Sequence, residues 1–131
     1  MKVHLKKLSQ KDIEERKANY DVFVEVKEKK IKVMLIFKDL EFKRKDIGGV
    51  GASHTFDNGI TISVQAGSFH YSTPREDLTS SDDFNSFEVA MWDEEGLFIT
   101  KDFVPDINDD VLGGWDVADI SILMIKIQFD K

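Results

Sequence analysis

The sequence predicts an α+β fold, a single domain built on an antiparallel sheet of about five strands with N-terminal and C-terminal helices. Three observations carry that reading. Residues 60–65 and 87–92 alternate apolar and polar side chains with period two, so Ile60, Ile62 and Val64 share one face, as do Phe87, Val89 and Met91. Residues 22–26 and 31–37 alternate in the same way on either side of the short polar stretch Glu28-Lys29-Lys30, which is the pattern of an antiparallel hairpin. Near the two chain ends, Ser9 and Asp116 stand where a side-chain oxygen can cap a first helical turn, each with an aspartate three residues on, Asp12 and Asp119.

A chain of 131 residues with 41% hydrophobic and 33% charged content is long enough to bury its own core and is not of disordered composition. Cysteine is absent, which removes disulfides and thiolate metal sites together. The first residues, Met1 to Lys7, have no apolar stretch behind them, and the longest apolar run, residues 33–37, is too short to span a bilayer. The expectation is a cytoplasmic protein with no membrane contact. The net charge of −7 is unevenly placed. Residues 1–45 carry 14 Lys and Arg against 8 Asp and Glu, whereas residues 46–131 carry 4 against 17. Such an acidic surplus repels phosphate, so direct nucleic-acid binding is disfavoured and a basic protein partner is favoured.

Taken in order, residues 9–18 read as a surface helix, because its apolar content is only Ile13 and Ala18. In the hairpin that follows, the second arm is apolar on both faces, which predicts a central place in the sheet. From residue 38 to 58 the pattern breaks. A charged patch of Glu41, Lys43, Arg44, Lys45 and Asp46 precedes Gly48, Gly49 and Gly51. The phosphate-loop motif needs Lys-Ser or Lys-Thr where Ala52-Ser53 stands, and the dinucleotide motif needs a glycine where His54 stands, so the stretch reads as a turn-forming loop. Asp57-Asn58-Gly59 marks a tight turn into the strand at Ile60. Residues 78–86 read as a solvated loop. Asp93-Glu94-Glu95-Gly96 is a turn, and the extended pattern at residues 97–100 makes 87–100 a second hairpin. Residues 105–110 read as an acidic loop ended by Gly113-Gly114. In the final segment Val117, Ile120, Leu123, Met124 and Ile127 share a helical face; residues 120–129 would also suit a strand, but the Asp116 cap favours the helix.

No complete chemical motif emerges. Asp106, Asn108 and Asp110 occupy the first, third and fifth positions of a calcium loop, yet Val111 replaces the turn glycine and Val117 the bidentate glutamate. His4, His54 and His70 lie far apart without metal-ligand spacing, so no metal and no cofactor is expected. Ser68 or Ser72 beside His70 would need a third, orienting group that the sequence does not place, hence no catalytic residue and no enzyme. Arg75 is a candidate for a partner carboxylate, its alternative being a local pair with Glu76 or Asp77. Trp92, Trp115, Phe98 and Phe103 are read as core residues or as an aromatic anchor, with Trp115 the best candidate for exposure.

The run from Ser63 through His70, Tyr71, Pro74 and Arg75, the strand Phe87-Glu88-Val89-Ala90-Met91-Trp92-Asp93, and Gly114-Trp115 before the closing helix resemble small uncharacterised proteins encoded by bacteriophages and prophages. The likeness covers residues 60–127. It implies a phage accessory protein in the bacterial host cytoplasm, a class that commonly works by binding host proteins and includes inhibitors of restriction and CRISPR nucleases whose acidic surfaces imitate DNA. The expected function is therefore binding of a host protein with a basic surface, a defence nuclease being the type of partner. A structural or morphogenetic phage protein, or an immunity protein that neutralises a toxin, is the alternative. The expected partner-binding residues are Asp93, Glu94, Glu95, Asp106, Asp109, Asp110, Arg75 and Trp115.

Overall fold

The two alternating stretches lie side by side. In the computed structural model, which describes residues 3–5, 22–26, 31–104, 107 and 109–130, β1 (Val3–Leu5), β2 (Val22–Val26) and β3 (Ile31–Met34) form a three-stranded antiparallel sheet. A second sheet has five strands in chain order: β4 (Lys43–Arg44), β5 (Val50–Thr55), β6 (Thr61–Ala66), β7 (Phe87–Trp92) and β8 (Val111–Trp115). Between β7 and β8 runs the short helix α1 (Thr100–Phe103), and the chain closes on α2 (Val117–Phe129). The α+β expectation stands. The expected helix over residues 9–18 lies outside the described residues.

The core follows from the alternation. Ile62 faces Met91 and Val64 faces Val89 across the β6–β7 pair, and these four side chains with Phe87 are fully buried. Ile120, Leu123, Met124 and Ile127 of α2 join the same cluster. Each such side chain, fully withdrawn from water, contributes roughly 1.5–3 kcal/mol of transfer free energy. The helix begins where the sequence says: the Asp116 carboxylate accepts the Asp119 amide N–H at 2.8 Å. Val117 nevertheless stands outside the predicted face and is 44% exposed. At its far end the Asn58 side-chain amide donates to the carbonyls of Ile127 (2.8 Å) and Asp130 (2.9 Å), so the β5–β6 turn satisfies acceptors that a helix leaves open.

Several expectations need correction. The 22–37 hairpin forms, but β3 is an edge strand of its sheet, and β2 is the central one. Its strand stops at Met34 because α2 takes the backbone that follows. Gln128 brackets Leu35, accepting its N–H at 2.9 Å and donating to its carbonyl at 2.7 Å, and the Ser121 hydroxyl accepts from Phe37 N–H at 3.1 Å. Phe37 then packs with Phe42 and Phe87, ring centroids 5.3 and 5.0 Å away. Residues 50–55, read as loop, are β5: Val50 and Ala52 are buried, and Gly51 lies under the Gln65 side chain, which a Cβ there would meet at 2.2 Å. Residues 97–100 meet β7 through the Trp92–Phe98 bridge, the Ile99 N–H to Met91 carbonyl bond and the Thr100 hydroxyl, which accepts the Met91 N–H at 3.1 Å, before turning into α1. The other neighbour of β7 is β8, whose Gly113-Gly114 was read as the end of a loop; Tyr71 covers Gly113, leaving a Cβ only 2.8 Å.

Candidate functional site

At one end of the five-stranded sheet the β5–β6 turn, the turn after β7, α1 and the end of α2 meet around a depression of about 530 Å³, lined by Asn58, Ile60, Asp93, Glu94, Glu95, Ile99, Asp102, Phe103 and Asp130. Asp93 builds the turn: its Oδ1 accepts the N–H groups of Glu95 (2.9 Å) and Leu97 (3.0 Å). That leaves Glu94 and Glu95 exposed on the rim. Glu94 lies over Gly59, where a Cβ would come within 2.1 Å of its Oε1, so the positive-φ glycine of the first turn also seats the second. Five carboxylates from three separate segments thus face one volume. Among the described residues, no three acidic, histidine or cysteine side chains are placed to hold a metal ion. Carboxylates spread along a wall complement an extended basic surface.

The sequence singled out only part of this group. Asp102 and Asp130 were missed, and no local pattern marks them, since only the folded chain brings Asp130 beside the Asn58 turn. Asp109 and Asp110 do not line the depression. The Asp109 carboxylate accepts the Asp110 N–H, and the Asp110 carbonyl accepts the buried Thr100 hydroxyl at 2.6 Å, which ties the entry of β8 to α1. Asp106 lies outside the described residues. Trp115, expected to be exposed, is half-buried against the core opposite Phe87, because the register irregularity between β7 and β8 puts it on the core side.

The opposite end of the sheet carries the loop 67–77. Arg75 is exposed, with its guanidinium carbon 5.0 Å from the Tyr71 ring centroid, a cation–π contact in place of the pairing with Glu76 or Asp77. Asp77 instead accepts the Ser68 N–H and hydroxyl, both at 2.9 Å, and these bonds, the backbone one foremost, hold its carboxyl below the ordinary value. His70 contacts Lys45 through Nε2 and lies 3.0 Å from Glu88 Oε1 through Nδ1; the other Glu88 oxygen accepts the Tyr71 N–H at 2.9 Å. Glu88 holds the His70 ring, but the other ring nitrogen goes to Lys45, while the Ser68 hydroxyl bonds Asp77 and the Ser72 hydroxyl bonds Gly67 and Pro74, so neither serine is paired with His70. Burial lowers the Lys45 ammonium pKa from its usual value, partly opposed by the Glu88 charge.

No protein-family model matches this chain, and no significant match exists among curated proteins or solved structures. Among the described residues no helix is long and apolar enough to cross a membrane.

Proposed function

We propose that the protein acts by binding, as an acidic accessory protein of the phage type that seats a basic surface of a host protein against the depression bounded by Glu94, Glu95, Asp102 and Asp130. The observation that carries this reading is the convergence of carboxylates from three chain segments on one open volume. Clustered carboxylates attract Lys and Arg, and a surface of one sign steers a partner of the other. The basic surfaces by which defence nucleases hold DNA have the required charge and extent, so an inhibitor that occupies such a groove is the specific form of the proposal.

The test is inhibition of DNA cleavage by a panel of purified restriction and CRISPR nucleases. At least one should be inhibited, and the double reversal Glu94→Lys with Glu95→Lys should remove the effect. The control reversal Asp46→Lys with Glu76→Lys changes net charge equally at exposed sites outside the depression and should leave most inhibition in place. No inhibition across the panel, or equal loss in the two double variants, would overturn the reading.

A further inference from the structure

Lys45 closes the basic patch of the sequence, and the fold gives it a use apart from the acidic end. Its Nζ is hydrogen-bonded to His70 Nε2, His70 Nδ1 faces Glu88, and Glu88 is itself held by the Tyr71 amide. The His70 and Glu88 side chains are 13% and 18% exposed. A carboxylate at Nδ1 draws the ring proton to that nitrogen and leaves Nε2 as the acceptor. A nucleophile whose proton can pass to a base, with the base oriented by a third group, is the general arrangement that activates side-chain nucleophiles. Lys45 also forms part of the wall of a depression of about 280 Å³, together with Glu41, Lys43, Gly51, Ser53 and Gln65. That space has room for a small molecule, and Lys43 supplies a positive charge beside the amine.

We propose that Lys45 is a nucleophilic amine that forms a Schiff base with small aldehydes or ketones bearing one carboxylate, held in this depression by Lys43. In the step, the neutral amine of Lys45 attacks the carbonyl carbon and a C–N bond forms while the carbonyl π bond opens. Two protons leave nitrogen in turn by way of His70 Nε2: the first converts the alkoxide to a hydroxyl, and the second protonates that hydroxyl so that it leaves as water when the C=N bond forms. Amine and carbonyl give imine and water, with no oxidant or reductant. Glu41 on the same wall disfavours a ligand with a second negative charge. The lowered ammonium pKa of Lys45 agrees with this geometry, since it raises the share of free amine.

The experiment treats the full chain with 4-carboxybenzaldehyde and cyanoborohydride, which traps the imine, and maps the modified lysines by mass spectrometry over a range of pH. Lys45 should react faster than the exposed lysines, with its advantage largest at the acid end of the pH range, where the other lysines carry little free amine. Lys43→Ala should remove the preference for 4-carboxybenzaldehyde over uncharged benzaldehyde, a change that a merely structural lysine would not show. Glu88→Gln should move the pH profile of Lys45 modification to lower pH, because the Glu88 charge favours the ammonium form, whereas His70→Gln should slow Lys45 modification and change its pH profile, because the proton acceptor is gone. Lys45 reacting no faster than other lysines in the unaltered protein overturns the proposal whatever the variants do. An unchanged Lys45 pH profile in folded His70→Gln overturns the relay.

Discussion

Gly49 is held by geometry that no other residue meets. Its φ of +75° lies in the left-handed region, and an added Cβ would sit 2.1 Å from the Ala66 carbonyl oxygen, a backbone atom that cannot step aside. Gly96 has a similar φ of +82° with open space around it. The pair separates conformational strain from collision. Gly96→Ala should cost about 1–2 kcal/mol, the ordinary penalty of the left-handed region, whereas Gly49→Ala should cost about 3 kcal/mol or more, since the β4–β5 turn must also move off the end of β6. Urea denaturation of the two variants measures the difference, and equal costs would mean that the turn relaxes freely. Residue by residue, the sequence was informative where chemistry is local, as at the Asp116 cap. It was silent where a side chain's neighbour is distant in sequence. Asp130 came beside Asn58, and Trp115 found Phe87 in place of solvent.

Element by element, legibility followed the hydrophobic signal. β6, β7 and α2 each bury an apolar set at the right period, so one local stretch specifies the element. β5 and β8 could not be read that way, since Gly51, Gly113 and Gly114 weaken the alternation. The reason for those glycines is the side chains of Gln65 and Tyr71 lying over the first two. One clue to β5 was available: a turn at Asp57-Asn58-Gly59 leading into a strong strand calls for a preceding arm, and Val50, Ala52 and His54 alternate there. The expected count of about five strands agrees with the main sheet, but only two of the strands named from sequence belong to it. The 22–34 hairpin went to a separate sheet because Phe37, Gln128 and Ser121 turn the chain away after Met34. The helix ends test this account of α2. Asp116→Ala should cost about 1 kcal/mol and Asp116→Asn almost nothing, since asparagine caps equally well. Asn58→Ala should cost more, about 1–3 kcal/mol, because it strips two carbonyl partners at the other end together with its own bond to Ile60 N–H. Thermal melts of the three variants give the ranking; an asparagine variant as unstable as the alanine one would contradict the capping role.

Over the whole molecule, the uneven charge visible along the chain acquires a direction in space. The β5–β6 turn, the turn after β7 and the end of α2 place Asp93, Glu94, Glu95, Asp102 and Asp130 at one end of the main sheet. β4 brings Lys43, Arg44 and Lys45 to the start of β5, beside Asp46 and within reach of Glu88 through His70. Phosphate contacts supply most nucleic-acid affinity and each needs a cation free to make it. In the described part of the chain the basic strand is offset by Asp46 and Glu88, and the acidic end adds a repulsive field around any approaching duplex. The 14 cations of residues 1–45 are themselves interleaved with 8 acids. Free DNA, duplex or single-stranded, should therefore give no mobility shift at physiological salt up to about 100 μM protein, the weak end of ordinary non-specific binding. Because the repulsion is electrostatic, lowering the salt should not rescue binding, whereas for a true DNA binder each phosphate contact strengthens as salt falls. A shift that grows at low salt and persists when Glu94 and Glu95 are reversed to lysine would move the site of action to the basic amino-terminal residues.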